Sequence, residues 1–371
     1  MSNPFELMPR QYSPFWLRAV CLISGIAIGL ALATTLLMLN GVDFKGIVRE
    51  FVLYSFISNR GLAQTISTAT PLLLVGLASA IVLKLRFWNI GIDGQAWLGA
   101  IAASGIAIYD VGDPSFRLLI MACAAIIAGA VWVGVPVFLK MRLGVNEVIS
   151  TLMLTYVAFL VAQHFLYGDW RDPSTSWPVS VTFDESSERL QRIGFGHVHT
   201  GVWIALGCAL LVSYLMLAHR FGFFLSAIGL SPKGARASGL PVPIVVILTV
   251  LIGGGLCGLA GFVVVAGQEY RLTQYVIHDL TFSAILIAFL ARFNPIAVVP
   301  VSFLVAGLFT AGETLKAFYQ LPLSLILVVQ AIILVSVISV EFFSAYRVRI
   351  KVSGLLNRQI NEGQSRQTSQ Q

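Results

Sequence analysis

The sequence predicts an all-α, polytopic transmembrane helical bundle of about ten spans, with N and C termini cytoplasmic. Three observations carry the prediction. Of 371 residues, 57% are hydrophobic and 11% charged, where a soluble domain has roughly 45–50% and 25%. Residues 19–39, 61–83, 118–139, 148–167, 200–218 and 317–340 are free of Asp, Glu, Lys and Arg, and each approaches the roughly 20 residues needed to cross a hydrocarbon core. Every connection on the inner side is short and basic, as an oriented bundle requires. A large soluble enzyme, a disordered chain and a secreted disulfide scaffold are excluded. Cys21, Cys123, Cys208 and Cys257 lie far apart in apolar runs and read as small hydrophobes.

In chain order, 19–39 exceeds the apolar core of a signal peptide and lacks a small-x-small cleavage site, so it reads as a retained helix. The span 61–83 carries Gln64, Ser67, Thr68 and Pro71 along one face at i, i+3, i+4 spacing. Those polar groups either line a hydrated path or bond between helices. Residues 87–109 are expected to form a span interrupted by Asp93, about six residues inside its end. Intramembrane carboxylates are costly and usually face a bundle interior or a water-filled path; the alternative is a locally hydrogen-bonded structural carboxylate. Asn89 and Gln95 flank it, with Gly91 and Gly94 admitting a close neighbour. The run 237–268 is expected to begin its helix near Ile244, after Pro241 and Pro243. Residues 280–291 predict a short or broken helix extended back towards Tyr275, and 293–312 a span kinked at Pro300. Glu313 reads as interfacial.

With a cytoplasmic N-terminus, the inside segments hold 15 basic residues against four acids and the outside segments nine against twelve, with Asp93 in the membrane. The net charge of +7 therefore records orientation and anionic lipid contact, with no nucleic-acid meaning. This divides the chain into a cytoplasmic tail (1–18), a membrane domain (19–340) and a basic cytoplasmic tail (341–371).

Two loops stand out. The external segment 168–199, with Pro173, Pro178 and the acids Asp184, Glu185 and Glu188, either receives an external partner or is merely solvated. His197 and His199 there supply two metal-ligand types without a third, so no metal site is assigned. The inside segment 219–243 encodes a short helix: Ser231 as N-cap, Pro232 at the first position, Gly239 just past the end. Lys233, Gly234, Ala235 and Arg236 give it a nearly bare surface with two cationic arms. Such a helix either enters a groove on a partner or lies on anionic headgroups, helped by Phe221, Phe223, Phe224 and Leu225.

The run Gly253 to Gly261 formally contains GxGxxG but lies mid-membrane with no preceding strand, so Gly254, Gly258 and Gly261 read as a helix-packing face. No GxxxxGK[ST] and no catalytic constellation occur, so no enzyme activity is assigned and any ATP hydrolysis must come from another chain.

LRFWNIGIDGQAWLGA at 85–100 resembles the FNIGxEGQ signature of permease subunits of ATP-binding-cassette importers in the branched-chain amino acid, ribose and nucleoside superfamily. FFLSAIGLSPKGARASGLPV at 223–242 is similar to that family's cytoplasmic coupling segment, and TFSAILIAFLARFNPIAVV at 281–299 to a further stretch, with the nucleoside and simple-sugar branch most similar. Trp88 replaces Phe, Asp93 replaces Glu, and Ser231 stands where Asn is common. The resemblance implies a bacterial inner-membrane permease carrying a small polar solute by alternating access. It implies separate ATPase subunits that hold ATP–Mg, with no cofactor in this chain, and a helix around Lys233 and Arg236 that docks on them. A second permease subunit, identical or paralogous, and an extracytoplasmic solute-binding protein complete the implied assembly. Asn89, Asp93, Gln95, Gln64, Ser67 and Thr68 are the expected pathway residues. The competing reading is an ion- or proton-coupled secondary transporter using Asp93.

Overall fold

The computed structural model describes residues 5–9, 14–184, 187–194, 196–277 and 279–350. In chain order it contains β1 (Phe5–Pro9), α1 (Phe15–Leu39), α2 (Phe44–Val48), α3 (Asn59–Lys84), α4 (Ile92–Ile108), α5 (Arg117–Leu143) and α6 (Glu147–Tyr167). There follow α7 (Gly201–Ser213), α8 (Arg220–Leu230), α9 (Pro232–Ala237), α10 (Val242–Val264), α11 (Leu280–Leu290), α12 (Pro295–Tyr319), α13 (Leu323–Ala345) and β2 (Tyr346–Ile350). π-helical turns cover Arg49–Ile57, Tyr214–Ala218 and Val265–Glu269. Six helices are long and apolar enough to cross a membrane: α3, α5, α6, α7 with its π turn, α10 with its π turn, and α12.

The chain forms two units. In the first, residues 1–47 with 319–371, α1 packs antiparallel on α13. Gly25 and Gly29 allow the approach: a Cβ there would lie 2.9 Å from the Val337 Cα and 2.8 Å from the Ile333 Cα. β1 pairs antiparallel with β2, from Phe5 opposite Ile350 to Pro9 opposite Tyr346, the one strand pair among the described residues. The basic tail beyond 350 and Glu185 lie outside the described residues.

In the second unit, residues 48–318, α3 and α10 are the buried centre. α10 packs on α3, α4 and α5; α4 also packs on α5 and α6; α11 and α7 pack on α3. The expected glycine face is what permits this: a Cβ on Gly258 would strike the Ala125 carbonyl of α5, and one on Gly261 the Ala96 carbonyl of α4. α5 buries a single stripe, Met121, Ala125, Gly129, Val133 and Val137, at four-residue spacing. Its remaining face, with Leu119, Ile127, Val131 and Phe138, is exposed and apolar. A patch of that kind is tolerable against lipid and not against water.

Several boundaries differ from expectation. α4 begins at Ile92, with 87–91 non-helical, so Asp93 sits in a first turn and does not interrupt a span. α10 begins at Val242 with Pro243 in its first turn, where the missing N–H costs nothing. α11 does not extend back to Tyr275, because Asp279 adopts a left-handed φ of 48°. α12 runs through Pro300 to Tyr319, and α13 starts at Leu323, later than 317.

The 168–199 segment is docked as well as solvated. Ser180 N–H donates to the Leu272 carbonyl (2.9 Å), Phe183 N–H to Tyr270 (2.8 Å) and Leu190 N–H to Ala266 (2.8 Å). Glu188 belongs to the acidic stretch read as either solvated or open to an external partner. It is instead buried and paired with buried Arg117 at the start of α5 (2.7 Å).

Candidate functional site

The polar face of α3 finds a cavity. Gln64, Ser67, Thr68 and Pro71 line a space of about 450 Å³ together with Gln268, Glu269 and Tyr270 after α10, Phe309 and Glu313 on α12, and His197 from the docked loop. A volume of this size fits a small solute. The π-helical turn 265–269 closes α10, and Tyr270 follows it at a left-handed φ of 56°. The extra residue per turn re-aims the helix end, a device common at functional positions. Gln268 Nε2 donates to the Ser67 carbonyl (2.8 Å) and ties this end of α10 to α3. Behind the cavity wall, Arg189 and Arg192 stack on the Tyr270 ring, and Arg192 Nε donates to its hydroxyl (3.2 Å).

Asn89, Asp93 and Gln95 do not line this cavity. Asn89 and Gln95 exchange side-chain amide bonds (3.1 and 2.9 Å), and Asn89 Oδ1 also accepts from Gly91 N–H (3.0 Å). Thr151 Oγ1 of α6 accepts from Ile90 N–H (3.2 Å), so the non-helical approach to α4 is fastened at both ends. Asp93 Oδ1 accepts from Thr281 N–H, and Thr281 Oγ1 accepts from Asp93 N–H, each at 3.1 Å. Both N–H groups belong to first helical turns and have no partner in their own helix. Two helix starts thus cap one another, and the carboxylate sits where two positive helix ends converge. Leu280, next to Thr281, lines the cavity, so this joint abuts it.

The predicted short helix is α9. Ser231 Oγ accepts from Gly234 N–H (3.1 Å), Pro232 opens the helix and Gly239 follows it at φ 78°. Ser231, Pro232, Lys233, Gly234, Arg236 and Gly239 are exposed, and Ala235 alone packs inward. The preceding α8, whose Phe221, Phe223, Phe224 and Leu225 one reading placed on headgroups, buries Gly222, Leu225, Ile228 and Gly229. Gly229 lies against the Lys84 carbonyl at the end of α3, so close that a Cβ would strike it. α3 therefore reaches from the cavity at Gln64–Leu72 to the base of α8 and α9. From Leu72 to Lys84 is about 18 Å at helical rise.

His197 lines the cavity, whereas His199 is buried against Gly267, with Nδ1 accepting from Gly201 N–H (3.2 Å). Burial pushes the His199 imidazole down to about 4, so it is neutral at physiological pH. The cavity residues that sequence reasoning missed, Gln268, Glu269 and Tyr270, follow an uncharged run with no periodic signal of their own. Only the π turn and the loop packing on it bring them to α3.

A family model described as branched-chain amino acid transport system / permease component matches residues 61–338. The chain belongs to that permease family. The permease is 31% identical over 365 residues to the glucose ABC transporter permease protein of Haloferax volcanii, covering 94% of this chain and 95% of that one. It is 27% identical to the guanosine ABC transporter permease protein of Bacillus subtilis (80% of this chain, 85% of the relative). It is also 27% identical to the nucleoside ABC transporter permease protein of Lactococcus lactis (65% and 69%). The permease is a membrane-embedded subunit of an ATP-binding-cassette transporter, a translocation channel and no enzyme, worked by ATPase partners. Membership favours ATP-driven transport over proton coupling through Asp93, whose carboxylate is in any case occupied by Thr281 N–H.

Proposed function

We propose that the permease forms, with a second identical or paralogous permease subunit, the pathway for a nucleoside or simple sugar across a bacterial inner membrane. The substrate class rests on the relatives, which are glucose, guanosine and nucleoside permeases. The observation that carries the mechanism is α3. Its first turns wall the cavity with Gln64, Ser67 and Thr68, and its last carbonyl touches Gly229 beside α9. In this reading α9 docks on an ATPase subunit through Ser231, Pro232, Lys233, Gly234, Ala235, Arg236 and Gly239. ATP–Mg, held by the ATPases, supplies the power stroke. Movement of α8 and α9 displaces α3 as a rod and opens or closes the cavity, which faces a solute-binding protein on the outer side. Asn89, Asp93 and Gln95 serve the pathway as the joint that holds α4 and α11 at its base.

Four of the five shorter apolar helices, Ile23–Leu39, Ile92–Ile108, Leu280–Leu290 and Ser324–Val340, added to the six long ones, support ten spans with both ends cytoplasmic; the fifth, Arg220–Leu230, is α8 beside α9. Cytoplasmic tails at 1–18 and 341–371 complete this arrangement. Reversing both cations of α9 (Lys233→Glu with Arg236→Glu) is expected to abolish ATP-dependent uptake in cells carrying the whole transporter, with membrane abundance unchanged. Undiminished uptake would refute docking through α9.

A further inference from the structure

The cavity has a chemical bias that its family membership does not explain. Among the described residues no Lys or Arg lines it, while Glu269 and Glu313 both do. Among the described residues neither carboxylate makes a hydrogen bond or salt bridge, although Lys316, one turn further along α12, acts on Glu313 through space. Arg189 and Arg192 are held on the Tyr270 ring and do not reach the lining. Gln268 gives one Nε2 hydrogen to the Ser67 carbonyl, which leaves its Oε1 and its second N–H to meet a solute. Two carboxylates and that oxygen are acceptors. The donors among the lining side chains are the amides of Gln64 and Gln268, the hydroxyls of Ser67 and Thr68, and His197. Tyr270 and Phe309 add aromatic surface for an apolar ring face.

We infer that Glu269 and Glu313 are specificity-determining residues that select uncharged, hydroxyl-rich solutes and reject those bearing a phosphate or carboxylate. The inference rests on the proposed assignment of this cavity to the pathway. Hydroxyl groups of a sugar or ribose donate to the carboxylates, giving charge-assisted bonds stronger than neutral ones. An anionic solute of the same size meets like charge in a partly desolvated space whose lining holds no Lys or Arg. A sugar phosphate, a nucleotide or a sugar acid is excluded here even if it is delivered to the permease.

The test reads weak binding directly, by saturation-transfer NMR on the full chain in nanodiscs, which removes selection by any external binding protein. The probes are glucose, guanosine, glucose 6-phosphate, guanosine 5′-monophosphate and gluconate. The wild-type chain is expected to give signal with glucose or guanosine and none with the three anion-bearing probes. Replacing Glu269→Gln and Glu313→Gln together keeps side-chain shape; it is expected to weaken the uncharged signal about tenfold or more and to admit the phosphorylated probe. Equal wild-type signal from phosphorylated and uncharged probes would overturn the inference, as would absence of signal from all five. Ser67→Trp, which fills the cavity, separates the two levels. Signal lost in Ser67→Trp but unchanged in the double Gln variant overturns the carboxylate inference and leaves the cavity as the site. Uncharged signal surviving Ser67→Trp overturns the cavity assignment itself.

Discussion

Asp93 looks in the sequence like an isolated charge in an apolar run, and the packing turns it into a cap shared by two helices. The reciprocal bonds with Thr281 explain the residue type: a carboxylate oxygen accepts at one helix start while the neighbouring helix returns a hydroxyl. Asp93→Asn keeps an acceptor of the same size. It is expected to leave membrane abundance nearly intact and to lower uptake, because the charge between two helix ends is gone. Equal loss of both, read by immunoblot and transport assay, would make Asp93 purely structural. Asp93→Ala removes the acceptor and strands Thr281 N–H, at a cost of about 1–3 kcal/mol, measurable as reduced thermal stability in detergent. His199 carries a pH prediction. Its folded value, about 4, lies below the ordinary 6.5, so above pH 6.5 the residue is neutral in both states and stability does not depend on it. As pH falls from 6.5 to 4 the unfolded chain takes up the proton and the folded chain does not. Stability is therefore lost across that window, by about 3 kcal/mol in total. His199→Gln is expected to flatten that part of the melting-temperature profile.

At the scale of elements, how much could be read in advance depended on how local the determinant was. α9 was legible residue by residue, since Ser231, Pro232 and Gly239 specify its start and stop through their own backbone preferences. Ser231→Ala is expected to cost the helix about 1 kcal/mol and to reduce coupling without displacing neighbouring spans. The start of α11 was misjudged because Asp279 holds a left-handed conformation that no nearby glycine announces. The glycine face of α10 was legible as a pattern, though its partners were not. Gly258→Leu would drive a side chain into the Ala125 carbonyl and is expected to cost more than the about 1–3 kcal/mol typical of overpacking, seen as lost membrane accumulation. Gly207→Ala on α7, where a Cβ meets nothing within 4 Å, is the matched control.

Across the molecule, the docked loop and the orientation of the bundle make the remaining predictions. Arg117 and Glu188 are both nearly inaccessible and pair at 2.7 Å, with Arg117 also reaching Asp110 (2.6 Å). Glu188→Ala leaves a buried guanidinium short of its partner, a loss of about 3–5 kcal/mol. It is expected to release the 168–199 loop to limited proteolysis. Arg117→Met combined with Glu188→Leu should restore most of the protection. Orientation is checked with single cysteines in a cysteine-free background: Lys233→Cys should react with an impermeant maleimide only from the cytoplasmic side, and Ser174→Cys only from the other.

Membrane residence, an all-helical bundle, the helix around Lys233 and the polar face at Gln64, Ser67 and Thr68 were all legible in the chain. Each is a sum or a spacing along contiguous residues, and bilayer thickness and helical periodicity act on contiguous residues directly. The cavity was not legible, because its walls come from positions 64, 197, 269 and 313, which no local rule relates. Nor was it legible that Asp93 caps Thr281, 188 residues away, or that Glu188 is buried on Arg117. Those outcomes depend on which helix faces meet once the glycines of α10 admit α4 and α5, a choice made by packing over the whole second unit.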